Sequence, residues 1–558
     1  MELSGAEIII KLLERQGIET IAGIPGGANL PLYDALSQSE QIRHVLTRHE
    51  QGAGFIAQGM ARVTGEPAVF FATSGPGATN TLTAIADAKL DSIPVICITG
   101  QVPLSMIGTD AFQEVDTYGL SVPITKHNYL VRSVEELLRV IPEAFCVAAS
   151  GRPGPVVIDV PKDVQCAMME IDSWPEPGMR EEGPELIDAE VRRAAAMINR
   201  AKKPILYLGG GVIQSGSANE ALLLAEKGSI PSALTLMGLG VVPHDHPLNL
   251  GMLGMHAARY TNMALEKCDL LVAVGVRFDD RATGKVAEFC PDAKIIHVDI
   301  DPSELDKIKT SHASITGDVA DSLKALLPQI EKTERTEWLN EISQLKQSNP
   351  MIVEGAEDPV APYGVVLKTA ELAEDDAIVC TDVGQHQMRT AQVYPFRHPR
   401  QWLTSGGLGT MGFGMPAAIG AALAAPDRQV ICFSGDGSIM MNIQDLATAM
   451  ENNVNVKIVL TNNNALGLVR QQQDLFYGKR YFASNYEYAV DFVKIAEGFG
   501  MRTYDLGLSE NPAETLAEAL AFDGPAFIHV PLSPDEPVYP MVPPGAANSE
   551  MIGGKADV

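Results

Sequence analysis

Short apolar runs ending in glycine or a polar residue recur along the chain and alternate with segments of helical periodicity. The clearest unit lies near the C-terminus. Val430–Phe433 reads as a buried strand broken by Gly435-Asp436-Gly437, a helix is expected from about Met441 to Met450, and Val456–Leu460 reads as a second strand closed by Asn462 and Asn463. The same rhythm fills the first third. Ile21–Tyr33 predicts a strand, a Gly26-Gly27 turn and a helix start; Val45 and Leu46 predict a strand; a helix after Glu50 carries Ala53, Ala57 and Ala61 on one side. Phe70–Gly77 is again strand then glycine, followed by a helix over Ala78–Lys89 and a strand over Pro94–Thr99. In the middle, Pro204–Leu208, Asp269–Val276 and Ile295–Asp301 are strand-like, and Ile378–Asp382 opens the last third. This alternation predicts an α/β protein of doubly wound parallel sheets. The layout around Phe70–Gly77 loosely echoes that around Asp436, which suggests that the first and last domains share a fold.

Length and punctuation divide the chain. A chain of 558 residues exceeds one core, and about three domains are expected. The proline- and acid-rich stretch Trp174–Pro184 marks a linker, and a polar stretch around Asn349–Pro362 marks another. The expected boundaries are a first domain over 1–170, a linker over 171–186, a central domain over 187–335, a linker over 336–360, a third domain over 361–540 and a tail over 541–558.

Composition narrows the partners. A net charge of −28 argues against nucleic acid and anionic membrane surfaces, both of which would repel the chain. No apolar run of about 18 residues is present to span a bilayer, and the acidic N-terminal segment is a poor signal or transit peptide. Seven scattered cysteines give neither metal spacing nor an even disulfide set, which points to buried thiols in the cytoplasm.

Candidate chemistry sits at the strand ends. Asp436 and Asn463 are 27 positions apart (463 − 436), which leaves room for one crossover helix, so their side chains can meet at one edge of a parallel sheet. A carboxylate with an amide oxygen suits a hard cation such as Mg²⁺, and Gly435 and Gly437 let backbone approach a diphosphate. Taken alone, a plain Rossmann-type turn is the simpler explanation. The triple glycine Gly209-Gly210-Gly211 could serve a nucleotide pyrophosphate, and a strand-end acid such as Asp299 or Asp318 a ribose hydroxyl; taken alone, structural turns are the better explanation. Glu50 at a strand end is ordinarily a cap or a solvated acid. Five glycines around Met411, in Leu403–Pro416, suggest backbone wrapped around something flat.

Several motifs are more specific. GDG with NN resembles the thiamine diphosphate motif, and RHEQGAGFIAQGMAR, SGPGATN, GTDAFQE and GRPGPVVIDVPKDV resemble the pyrimidine-binding domain of thiamine diphosphate enzymes. The resemblance is to the acetohydroxyacid synthase (acetolactate synthase) family, bacterial isozyme I type. GMLGMHAARYTN and VGVRFDDRATGK match its FAD-binding middle domain. It covers essentially the whole chain and implies pyrimidine- and diphosphate-binding domains flanking a Rossmann-like FAD domain. It implies thiamine diphosphate, Mg²⁺ and a largely structural FAD as cofactors. Glu50 then hydrogen-bonds N1′ of the aminopyrimidine, where a buried carboxylate of raised pKa can share a proton. Gly27, Gln113 and Lys162 serve substrate oxygens. Gly384, Gln385, His386, Gly435, Gly437 and Ser438 hold the diphosphate side, and Gly409 and Met411 the pyrimidine. Asp436, Asn463 and the Ala465 carbonyl bind Mg²⁺. Gly209, Gly210, Gly211, Arg277, Asp299 and Asp318 contact FAD. Phe112, Met255, Arg281 and Gln472 border the substrate channel, Arg281 as a carboxylate grip whose alternative is an ion pair with Asp279 or Asp280.

The implied activity decarboxylates pyruvate and joins the two-carbon unit to a second pyruvate or to 2-oxobutanoate, the first common step of branched-chain amino-acid biosynthesis. A homodimer or larger assembly is implied, with a small regulatory subunit. One departure is Gln472, where many members carry a tryptophan associated with preference for 2-oxobutanoate. A pyruvate oxidase, a catabolic FAD-free acetolactate synthase and a non-catalytic scaffold remain as alternatives.

Overall fold

The computed structural model describes residues 2–554. Among these, three six-stranded parallel sheets follow one another along the chain. The N-terminal sheet contains, in chain order, Thr20–Gly23, Arg43–Leu46, Ala68–Ala72, Val95–Gln101, His127–Leu130 and Val156–Pro161. Their spatial order is second, first, third, fourth, sixth, fifth. The C-terminal sheet contains Ile378–Thr381, Trp402–Leu403, Val430–Gly435, Val456–Asn462, Arg502–Asp505 and Ala526–Pro531, in that same spatial order. The echo between the two ends of the chain is therefore a shared topology. The central sheet differs: Pro204–Leu208, Ser232–Leu234, Asn249–Met252, Leu270–Val274, Lys294–Asp299 and Ala313–Thr316 lie third, second, first, fourth, fifth, sixth, the Rossmann order. Helices cover both faces, so the inner strands are apolar throughout; every residue of Val430–Gly435 is buried.

The first and third domains meet through two helices rich in small residues. Glu50–Thr64 buries Ala53, Ala57 and Ala61, as their spacing predicted, against Gly414–Ala424. A methyl group on Gly59 would lie 2.0 Å from the carbonyl oxygen of Ala417, and one on Gly420 the same distance from that of Ile56. Gly59→Ala gains about 1 kcal/mol of helix propensity, but forcing the backbones apart costs about 1–3 kcal/mol or more. The variant is expected to melt several degrees below the parent, measured by circular dichroism; an unchanged or raised Tm contradicts this packing.

Three elements differ from expectation. The helix over Ala78–Lys89 is two helices, Pro76–Asn80 and Leu82–Asp91, joined at Thr81. The helix expected over Met441–Met450 begins as a 3-10 turn at Ile443–Asp445 and becomes α-helical only over Leu446–Asn452, because Asn442 turns inward to the glycine-rich loop. The 336–360 stretch, expected as a linker, contains the helix Thr336–Ser348, which buries Trp338, Ile342 and Leu345 against the central domain. Of the tail over 541–558, residues 555–558 lie outside the described residues.

Candidate active site

In the C-terminal sheet the first and third strands are neighbours, and the connections leaving their carboxyl ends diverge, which opens a crevice. Gly384-Gln385-His386 follows one strand and Asp436 the other. His386 fills the floor: methyl groups on Gly384 or Gly435 would sit 2.7 and 3.0 Å from its ring. Burial, with Arg389 adding to it, lowers the His386 pKa to about 3, so the ring is neutral, and its Nε2 has no partner.

Asp436 Oδ1 accepts from the Gly437 N–H at 2.9 Å, while the buried Oδ2 has no partner. Burial pushes this carboxyl up to about 6. Asn463 Oδ1 accepts from the Ala465 N–H at 3.1 Å, and Asn463 Nδ2 donates to Gln385 Oε1 at 3.2 Å. A lone carboxylate with an orphaned oxygen, an amide oxygen and a nearby carbonyl are hard donors that fit Mg²⁺ completed by phosphate and water. Among the described residues no group of three or more His, Cys, Asp or Glu forms a softer metal site. Ser438 Oγ donates to the Val383 carbonyl at 2.9 Å and fixes the turn. A methyl group on Gly437 would meet Tyr486 Oη at 2.6 Å and Met411 Cε at 3.5 Å, so Met411 lies over the Asp436 turn.

The glycine-rich loop is pinned by a residue the sequence reading passed over. Asp382 ends the first strand as Asp436 ends the third, and its Oδ1 accepts from the Gly412 N–H at 2.8 Å. Burial raises Asp382 to about 6, opposed by these backbone donors. Asn442 Nδ2 donates to the Gly412 carbonyl at 2.6 Å. Gly409 and Gly412 take φ of +70° and +90°, backbone that glycine adopts without strain. The signal was available, because an acid ending a neighbouring strand must reach the same crevice.

The remaining catalytic candidates gather at the carboxyl edge of the N-terminal sheet. Glu50 is half-buried at the first turn of its helix, and its Oε2 accepts from Asn80 Nδ2 at 2.9 Å. A methyl on Gly77 would lie 3.3 Å from Glu50 Oε1 and 2.6 Å from Thr73, which equally crowds Gly26. The Gly26-Gly27 turn and the Glu50 turn therefore share one edge. Lys162 Nζ donates to the Gly27 carbonyl at 2.9 Å. Gln113, with φ of 59°, packs its backbone against Gly75. Phe112 beside it is 88% exposed and does not line the central cleft.

A cleft of about 710 Å³ joins all three domains and brings together Gly210, Gly211, Arg277, Asp299, Asp318 and Gly409. Met255, Arg281 and Gln472 line the same cleft. Gly209 and Gly211 pack against Gly275, where a methyl would lie 2.4 and 2.6 Å from its backbone, so both serve the turn; Gly211 also lines the cleft, whereas Gly209, expected to contact FAD, does not. Burial raises Asp299 to about 6. Both Asp318 oxygens are occupied, one by the Ala320 N–H that it caps and one by Arg180 at 2.6 Å. Arg281 stays exposed, with Asp280 at 3.8 Å and Asp279 engaged as a helix cap, so neither acid immobilises it. The tail closes one side: the Val542 N–H donates to the Met255 carbonyl, Asn548 Nδ2 donates to the Ala282 carbonyl, and Met541 and Pro544 line the cleft. Among the described residues no helix is long and apolar enough to cross a membrane.

Comparison with known proteins accords with this geometry. Residues 3–120 match the thiamine pyrophosphate enzyme N-terminal TPP binding domain, 191–326 the central domain and 382–530 the C-terminal TPP binding domain. The chain is 60% identical over 550 residues to the acetolactate synthase isozyme 1 large subunit of Escherichia coli, covering 99% of this chain and 98% of that protein. It is 46% identical over 553 residues to the isozyme 2 large subunit of the same organism, covering 99% of each. It is 44% identical over 564 residues to a probable acetolactate synthase large subunit of Methanocaldococcus jannaschii, covering 99% of this chain and 95% of that protein. With three matched domains and full-length identity at this level, the chain belongs to the acetolactate synthase family of thiamine pyrophosphate enzymes.

Proposed function

We propose that the chain is the catalytic subunit of an acetolactate synthase that joins pyruvate to a second pyruvate, or to 2-oxobutanoate, in branched-chain amino-acid biosynthesis. The observation that carries this reading is the unpartnered Asp436 Oδ2 beside Asn463 in a chain of this family. Bound thiamine diphosphate supplies the nucleophilic carbon and the electron sink for decarboxylation. Asp436, Asn463 and the Ala465 carbonyl hold Mg²⁺ against its diphosphate, with Gln385, His386 and Ser438 lining the crevice. Gly409 and Met411 would hold the aminopyrimidine, and the Glu50 carboxyl would share a proton with its ring nitrogen. Lys162 and the Gly27 turn orient substrate oxygens beside Gln113. Arg281, free of a tight ion pair, grips the carboxylate of the second oxoacid near Met255 and Gln472. Gly210, Gly211, Arg277 and Asp299 accommodate FAD in the cleft, while Asp318 contributes its cap and ion pair.

The active unit is a homodimer in which Glu50 of one copy faces the diphosphate crevice of the other. Exposed Tyr118 and Val122 on the N-terminal domain and Met440 and Met441 beside the crevice support this, being apolar surface suited to burial in an interface. Dilution below the dimer dissociation constant is expected to abolish turnover; full activity of a proven monomer contradicts the arrangement. Relatives named as large subunits support a small regulatory partner. Seven free thiols, five of them buried, suit the cytoplasm.

The reading is tested by recording the visible spectrum of the purified protein and identifying products from pyruvate with and without thiamine diphosphate and Mg²⁺. A flavin spectrum and cofactor-dependent acetolactate are expected. Oxygen consumption without carbon–carbon bond formation contradicts it, and activity without flavin removes FAD. Gln472 is an exposed polar wall of the cleft, so discrimination for one extra methylene should be modest, within about 1–3 kcal/mol. In competition assays Gln472→Trp is expected to raise the preference for 2-oxobutanoate about tenfold. Strong preference already in the parent overturns this role.

A further inference from the structure

All three domains converge on the loop Ser405–Gly412. From the N-terminal domain, Asp91 accepts from two consecutive loop amides, Gly406 N–H at 3.0 Å and Gly407 N–H at 2.7 Å. Asp87 accepts from Ser405 Oγ and from Thr410 Oγ1, the latter at 2.8 Å. Both carboxylates are fully buried side chains, set by Arg62, which lies 2.8 Å from Asp91 and 3.5 Å from Asp87 and stacks over Phe413. The central domain closes the other side. A methyl on Gly406 would lie 2.3 Å from Met237 Sδ, and one on Gly407 would meet Leu90, Asp91 and Arg277, the last at 3.2 Å. The loop's first half thus sits between the acid pair and the flavin cleft, and its second half carries Gly409 and Met411.

We infer that Asp91, with Asp87 and Arg62 behind it, is a positioning residue that fixes this loop and couples FAD binding to thiamine diphosphate binding. The inference rests on the cofactor assignment above. A carboxylate is needed because it accepts only: an asparagine amide would turn a donor toward one of the two loop N–H groups or toward Arg62. Arg277 and Gly407 line the flavin cleft together, so a flavin bound there would restrain one end of the loop, while the held loop presents Met411 at the other. Filling either cofactor site removes the same loop freedom, so each cofactor should tighten the other by an equal factor.

The test is direct titration of the two cofactors, with Mg²⁺ present, on the full-length parent, Asp91→Asn and Thr410→Val. Thiamine diphosphate is followed calorimetrically, FAD by flavin fluorescence, each with and without the other. In the parent a reciprocal gain of about fivefold or more is expected. In Asp91→Asn both the thiamine diphosphate affinity and the coupling should fall, coupling to about unity, with a circular dichroism spectrum like the parent's. Thr410→Val removes only the hydroxyl that reaches Asp87 and should weaken thiamine diphosphate several-fold and lower the coupling; it decides the matter if Asp91→Asn does not fold. Coupling of unity in the parent, or coupling unaltered in whichever variant folds, overturns the inference while leaving the cofactor assignment standing. Failure of the parent to bind either cofactor overturns both.

Discussion

Replacing Glu50 by glutamine is expected to lower kcat by about 10²–10⁴-fold, the usual worth of a positioned proton-transfer group. Glu50 lies at a helix start and accepts from Asn80 at 2.9 Å. A glutamine carbonyl oxygen can accept that same bond, so the helix and its packing against Gly414–Ala424 should persist. What the amide cannot do is share a proton with a ring nitrogen. The loss should therefore fall on kcat, with KM for pyruvate changed little and the melting temperature within a degree or two of the parent. Steady-state kinetics with saturating cofactors measures it. Turnover within about threefold of the parent removes Glu50 from proton transfer.

Asp436→Asn is expected to lower activity about 100-fold or more at cofactor levels that saturate the parent, because it discards the single carboxylate of the metal set. The variant keeps its shape, since the amide oxygen can still accept from the Gly437 N–H. It should gain stability without metal at pH 8. Burial raises the Asp436 pKa to about 6 in the fold, above its unfolded value of about 3.9. The proton is then bound more tightly in the folded state. The stability it contributes is full below about pH 4 and lost as pH rises through 6, leaving a buried charge that disfavours the metal-free fold. Above that range the asparagine variant carries no such charge. Thermal melts with EDTA at pH 5 and pH 8 check the sign: the variant should exceed the parent at pH 8 more than at pH 5. Excess Mg²⁺ should stabilise the parent and leave the variant nearly unmoved. A fully active variant contradicts the metal assignment.

Much of the framework was legible because buried parallel strands write themselves as apolar runs. Pro204–Leu208 begins and ends where its sequence predicts, and Val456–Leu460 extends only to Asn462. The strand ends were legible too, since glycine and acid after such a run mark the carboxyl edge where crevices form. Less legible were features decided by distant partners. Thr81 interrupts a helix that its own neighbours favour, and Trp338 turns a polar connection into a helix by burying itself beneath the central sheet. Nothing close in sequence marks Asp87 and Asp91, because the loop hydroxyls and amides that they accept from lie more than 300 residues away. Asp318 shows the opposite case: a strand-end acid that suits a ribose hydroxyl but is already spent on a helix cap and on Arg180.

The central claim is that Glu50 and the Asp436–Asn463 pair grip opposite ends of one cofactor across two copies of the chain. Subunit exchange between inactive Glu50→Gln and Asp436→Asn dimers tests it most directly. In a mixed dimer one site carries both substitutions and the other carries neither. Random exchange makes half the dimers mixed, each with one of two sites intact, so activity should recover to about a quarter of the parent's. If both groups served a cofactor within one chain, no intact site could form. Exchange verified by native mass spectrometry with no recovery of activity would contradict the account.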